Sequence, residues 1–160
     1  MFAQTPAEKI DEKFIKQTIL FYNDGIVEMA RTSRVDHLDP FVEKGHLQTM
    51  MLWVKAWHDS NLFMDARIKT ISVEDLNMTE ETNATVKTRE RWDYRYIQIV
   101  KKEEVWPLTH VEYENLYTLV RVKERWKIHS VKVISEKQER RLSPHSPDAK
   151  KGINRPLPKL

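Results

Sequence analysis

From Asn83 to Ser135 the chain alternates in side-chain character almost without interruption, closing on Tyr-Thr-Leu-Val-Arg-Val-Lys-Glu-Arg-Trp-Lys-Ile. Successive residues of a strand point to opposite faces, so such alternation predicts a long antiparallel sheet with one apolar and one polar face. Ala84, Val86, Thr88, Trp92, Tyr94 and Tyr96 share one phase, and Lys87, Arg89, Arg91, Asp93 and Arg95 the other. After a turn at Lys101-Lys102-Glu103-Glu104, a third strand from about Leu108 to Val122 sets Tyr113, Asn115, Tyr117 and Leu119 against His110, Glu112 and Glu114. Lys123-Glu124-Arg125 turns into the last strand, Trp126 to Ser135. Ahead of these, Met64, Ala66 and Ile68 keep one phase while Ile71 and Val73 keep the other. That phase change marks a bulge and predicts a curved sheet.

Two amphipathic helices precede the strands. Thr5, Pro6 and Glu8 form a capping box with proline at the first helical position, which starts a helix at about Pro6 and carries it to about Arg34. Ile15, Ile19, Tyr22, Ile26 and Met29 recur at steps of four and three and form its core-facing stripe. Asn23-Asp24-Gly25 is the weak point, where a glycine costing about 1 kcal/mol relative to alanine invites a bend or a break. Asp39-Pro40 repeats the cap-then-proline signal and predicts a second helix through about Ser60, with Leu47, Met50, Met51, Val54 and Trp57 on its apolar face and Trp53 beside it.

The chain has 160 residues, enough for one domain with a single core, and the expected division is an N-terminal extension over 1–7, an α+β domain over 8–135 and a basic, proline-containing tail over 136–160. The absence of cysteine excludes disulfides, thiolate zinc sites and thiol nucleophiles. No apolar run approaches the roughly 20 residues that cross a bilayer. The net charge of +3 is uneven: residues 136–160 hold seven Lys/Arg against three Asp/Glu, net +4, which leaves −1 on the rest. Such a tail can reach an anionic partner or simply be solvated. Phe2-Ala3-Gln4-Thr5-Pro6 is like the surroundings of a signal-peptidase site, so an extracytoplasmic, secreted or periplasmic location and a cytoplasmic one both stay open.

The helices, the bent sheet, Ala84-x-Val86, Trp92-x-Tyr94, Tyr117-x-Leu119-x-Arg121 and Trp126-x-Ile128 together resemble the cone-shaped nuclear transport factor 2-like superfamily over residues 8 to 134. Within it the pattern is similar to the non-enzymatic group that includes the IMS-type domain of chloroplast and cyanobacterial division proteins. Glu124-Arg125 stand where that group carries a glycine before the final Trp. The resemblance implies an α+β cone, with N-terminal helices packed in the concave face of a curved antiparallel sheet. It does not by itself imply an activity, because the superfamily hosts enzymes and structural subunits alike.

Enzymes of that superfamily place an acid-base set inside the cone, and acid-base chemistry needs a titratable group within hydrogen-bond reach of its substrate. The pocket candidates are Trp53, Trp57, His58, Asp65, Trp92, Tyr94, Tyr96 and Tyr113, with Asp59 next to His58 in what also reads as a polar helix end. No catalytic residue is assigned, because Trp and Tyr occupy the inward strand positions. His110-x-Glu112-x-Glu114 places side chains about 7 Å apart on one strand face, too far to converge on a metal ion without strong bending. Neither a metal nor a cofactor is expected. Glu112 and Glu114 are instead expected to pair with Arg89, Arg91 and Arg95 across the sheet, and these five residues form the candidate interaction surface. The rings lie on the opposite face from the arginines, so stacking and phosphate contacts would not cooperate, and nucleic acid is not the expected partner. Asn77-Met78-Thr79 and Asn83-Ala84-Thr85 match the N-glycosylation pattern, which matters only in a eukaryotic secretory protein.

The expected function is that of a non-catalytic interaction or assembly domain, an accessory factor or subunit of a larger assembly that includes membrane-associated ones. Its expected partners are proteins, among them a second copy bound through the sheet, with the membrane engaged only indirectly. The alternative is a small-molecule-binding protein, lyase or isomerase that uses the cone pocket. A cone filled by Trp53, Trp57 and Trp92 favours the first reading, and an internal cavity with convergent His, Asp or Tyr favours the second.

Overall fold

The computed structural model describes residues 6–140. In order, these form helix α1 (Pro6–Thr32), a short 3-10 turn (Asp36–Phe41), helix α2 (Lys44–Asp59) and four strands, β1 (Leu62–Glu80), β2 (Asn83–Gln98), β3 (Glu104–Val122) and β4 (Arg125–Arg140). The strands make one antiparallel sheet in the order β1-β2-β3-β4, and the helices pack on its apolar side. The fold is α+β, with N-terminal helices against a curved antiparallel sheet. Ile15, Ile19, Tyr22, Ile26 and Met29 of α1 are buried against Ala84, Val86, Trp92 and Tyr94 of β2 and Tyr117 and Leu119 of β3.

The bulge expected in β1 is present, since its register against β2 shifts between Ile68 and Thr70 and again at Val73/Asp75 and Met78/Glu80. The first shift moves the inward phase from even to odd numbers, bringing Ile71 and Val73 opposite Glu90 and Thr88 on the inner face. Each extra residue adds local twist.

Three expectations for the helices are corrected. Helix α1 runs through Asn23-Asp24-Gly25 without a break. Gly25 serves a close approach, because a Cβ there would lie 2.2 Å from Leu38 Cδ2, and the Gly25 carbonyl bonds His37 Nε2 at 2.8 Å. The helix ends at Thr32, where Ser33 turns to φ 60°. Asp39-Pro40 lies inside the 3-10 turn and does not open α2. Val42 instead pairs in parallel with Ile128, and the Glu43 N–H donates to the Ile128 carbonyl at 2.9 Å, so the chain stays extended until Lys44. Met51, expected on the apolar face of α2, is half exposed, whereas Met50, Val54 and Trp57 are buried. Thr5 and its cap lie outside the described residues.

The last two strands are longer than their periodicity suggested. Strand β3 begins at Glu104, and β4 continues past Ser135 to Arg140, with Glu136 to Arg140 pairing Tyr113 to Thr109. Backbone pairing on an existing neighbour needs no apolar alternation, so this extension left no pattern to read. The tail beyond Arg140 lies outside the described residues. Between β3 and β4, Lys123 (φ 50°) and Glu124 (φ 66°) are both left-handed. Tight hairpins favour Asn or Gly in such positions, so this turn is held against local preference by the strands it joins.

Candidate functional site

The interior of the cone is polar at one point. Alternation along β2 carries Glu90 inward between Thr88 and Trp92, and its side chain is only 1% exposed. Its Oε2 accepts from Thr88 Oγ1 at 2.6 Å, Tyr117 OH at 2.5 Å and Asn115 Nδ2 at 3.2 Å, while Oε1 accepts from Trp92 Nε1 at 2.9 Å. Asn23 of α1 reaches the same cluster, with Nδ2 donating to Tyr117 OH at 3.0 Å and to the Ile19 carbonyl at 2.9 Å. Four donors converge on one carboxyl group, the set that an acceptor-only carboxylate accommodates. Burial, followed by the charge of Glu90, holds the Tyr117 hydroxyl well above its ordinary pKa, so it remains a proton donor. The same two causes raise Tyr22.

Little space is left around this cluster. Tyr22, Asn23, Glu90, Trp92, Tyr113, Asn115, Tyr117 and Val133 enclose about 10 Å³, room for at most a single water. Of the sequence-predicted pocket residues, Trp57, Trp92, Tyr94, Tyr96 and Tyr113 are buried in the core, with Tyr96 meeting Trp57 and Tyr94 edge-on at 6.5 and 5.8 Å. Trp53 is half-buried against His46. Two others are not part of this set. His58 is exposed at the end of α2, and Asp65 lies on the outer face, where Arg95 Nε bonds it at 3.0 Å. Asp59 is paired with Lys55 on the helix surface.

Glu90 was the residue missed. Its parity matches Thr88 and Trp92, and that signal was present in the strand pattern. A charged residue between Arg89 and Arg91 reads naturally as part of a solvated stripe, and only its four buried donors show otherwise.

At the first turn of α2, His46 Nε2 lies 2.9 Å from the OH of buried Tyr22. Burial, with a smaller contribution from His129, lowers the His46 pKa to about 4. The sign follows from comparing states. An unfolded histidine titrates near 6.5, so between about pH 6.5 and 4 protons bind preferentially to the unfolded chain and stability falls as pH falls, by on the order of 3 kcal/mol in total. The prediction is that His46→Gln flattens this loss relative to wild type in urea titrations at stepped pH. Equal slopes for the two proteins would rule out His46 as its source.

The outer face of the sheet is a charge ladder. Across the strands, Arg67, Asp93, His110 and Glu139 form one rung, and Thr70, Arg91, Glu112 and Lys137 the next. The expected pairing of arginines with glutamates is present in part: Arg89 bonds Glu74 at 2.7 Å and Glu112 at 3.2 Å, but Glu114 is bonded by Lys87 at 2.5 Å in place of an arginine, and Arg95 by Asp65 of β1. The Lys87 hydrogen bond lowers the Glu114 pKa, and Glu114 raises that of Lys87. Arg91 is the least engaged of the three arginines, 66% exposed and 3.9 Å from Glu112.

Beside Arg91 lies an open groove of about 590 Å³, lined among others by Lys69, Thr70, Asp93, His110, Lys137 and Glu139. Asp93 bonds His110 Nδ1, and its other oxygen is 3.4 Å from Lys69 Nζ. With Nδ1 committed, His110 has Nε2 left to accept or donate a hydrogen bond. His110, Glu112 and Glu114 thus each engage a different partner across the sheet.

No protein-family model matches the chain, and no curated protein matches it in sequence. Among solved structures, the intermembrane space region of the chloroplast protein ARC6 aligns over 84% of this chain and 98% of its own, at 19% identity and a TM-score of 0.55. The Kfla4162 protein of Kribbella flavida aligns over 79% of this chain and 95% of its own, at 13% identity and a TM-score of 0.52. At these identities the likeness is one of fold.

Proposed function

We propose that this chain is a non-catalytic protein-interaction domain of the cone-shaped nuclear transport factor 2-like superfamily, acting as a subunit or accessory factor of a larger assembly. The observation that carries the reading is the closed interior. The Glu90 carboxylate, buried on the inner face, is engaged by four protein donors, and the space beside it is about 10 Å³, far below the roughly 300 Å³ at which small-molecule pockets begin. A fold shared with an intermembrane space region of a chloroplast protein is compatible with this reading.

The docking surface is the outer face of the sheet around Arg91, His110 and the adjoining groove. Arg89 and Arg95 are held by carboxylates at 2.7–3.2 Å, whereas Arg91 is 66% exposed and reaches Glu112 only at 3.9 Å, and arginine is enriched at interface hot spots. The test is affinity capture with folded variants. Arg91→Glu is expected to cost about 1 kcal/mol or less in stability, as exposed pairs do, while abolishing recovery of the wild-type partner. Undiminished recovery by a folded Arg89/Arg91/Arg95 triple variant overturns the docking surface.

A further inference from the structure

Among the described residues, both edges of the sheet carry long runs of backbone with no backbone partner. Strand β1 pairs only with β2, and from Thr70 to Glu80 its other edge makes no backbone bond among the described residues. On β4, among the described residues, the outer edge has backbone pairing at Ile128, with Val42 and Glu43, and none from Ser130 to Arg140. Unpaired strand edges are templates for another strand.

The charges on the two edges match. From Thr70 to Val86 the chain has Glu74, Asp75, Glu80 and Glu81 and neither Lys nor Arg, whereas β4 as a whole has Arg125, Lys127, Lys132, Lys137 and Arg140 against Glu136 and Glu139. Asp75, Glu80, Lys132 and Lys137 are all exposed, and none has an ion-pair partner among the described residues, although the neighbouring ladder is largely paired. The spacing matches as well. Asp75 and Glu80 are five apart, as are Lys132 and Lys137, and in a regular strand a step of five changes face. Each interval holds one register shift, between Met78 and Glu80 on β1 and between Val133 and Ser135 on β4, which returns both members to the outer face. Opposite Asp75 on β2 is Lys87, and opposite Lys137 on β3 is Glu112, both outward residues.

We propose that the chain self-associates edge to edge, β4 of one copy adding antiparallel to the Thr70–Glu80 half of β1 in a second copy. Lys132 then faces the second copy's Glu80, and Lys137 its Asp75. Pairing β1 with β1 would set carboxylates against carboxylates, so the contact is between unlike edges. Such a contact repeats into a ring or an open filament. This inference does not depend on the outer-face docking surface: it uses neither Arg91 nor His110, and shares with the adjoining groove only Lys137 and the Thr70 end of β1.

The test is sedimentation equilibrium of the full chain over a concentration series at low and high salt, with Lys132→Glu/Lys137→Glu as one variant and Asp75→Lys/Glu80→Lys as the other. Unchanged melting of both variants is expected, since all four side chains are exposed. The wild type is expected to associate more weakly at high salt, each variant to associate about tenfold more weakly or worse, and an equimolar mixture to recover association, because each reversed edge then meets its complement. A wild type that is monomeric throughout at low salt overturns the proposal. So does association that neither reversal weakens, or a mixture that fails to recover it.

Discussion

Replacing Glu90 by Leu is expected to cost about 4 kcal/mol or more, because it orphans several buried donors at once and each costs about 1–3 kcal/mol. Thr88, Trp92, Asn115 and Tyr117 all direct hydrogen bonds at this one carboxylate. For a domain whose whole stability is on the order of 5–15 kcal/mol, that is a large fraction. Glu90→Gln keeps the shape but faces an amide N–H₂ toward groups that also donate, and is expected to cost about 2 kcal/mol. Tyr117→Phe removes one donor, leaves the carboxylate with three, and should cost about 1 kcal/mol. Urea unfolding followed by far-ultraviolet circular dichroism measures all three, and the order Leu, Gln, Phe is the signature. A Glu90→Gln protein as stable as wild type would mean that Glu90 is not acting as an acceptor-only carboxylate.

Trp126→Ala is expected to cost about 3–5 kcal/mol, as large-to-small changes at buried aromatic residues do. Trp126 is 3% exposed, stands opposite Arg121 at the start of β4, and donates Nε1–H to Asp11 Oδ1 of α1 at 3.1 Å. The ring therefore holds the first turns of α1 to the hairpin whose turn residues are left-handed against their preference. Trp126→Phe keeps most of the buried area and gives up the Asp11 bond, an expected cost of about 1 kcal/mol for the bond with a further amount for lost volume. Thermal melting resolves the two variants. An unshifted curve for Trp126→Ala would contradict the register of the last strand.

The residues that announced the fold were those whose periodicity reports burial directly. Ile15, Ile19, Tyr22, Ile26 and Met29 marked the buried side of α1, and the alternation from Ala84 to Tyr96 and from Tyr113 to Leu119 marked the inner face of β2 and β3. The phase change after Ile68 marked the bulge. Legibility failed where the deciding contact is distant in sequence. Asp39-Pro40 has the local chemistry of a helix start, but Val42 pairs with Ile128 and postpones the helix. Gly25 has the local chemistry of a break, but Leu38 occupies the space its missing Cβ leaves. At the site, His58 and Asp65 were grouped with the cone by proximity in sequence, whereas strand parity and the Arg95 bond turn Asp65 outward.

The sequence alone determined the class of fold, the faces of its strands and the separation of aromatic rings from arginines, because these follow from side-chain order and the periods of helix and strand. Only the tertiary structure decided what those faces do. Strands β2 and β3 and helix α1 bring Glu90, Asn115, Tyr117 and Asn23 together, and no local pattern shows that a carboxylate will meet four donors in place of water. Nor does any local pattern show that the space around them closes to about 10 Å³, or which charges find partners across the ladder and which, like Lys132, Lys137, Asp75 and Glu80, are left exposed on open edges. Those outcomes depend on register and packing between segments far apart in the chain, and register is set by the whole sheet.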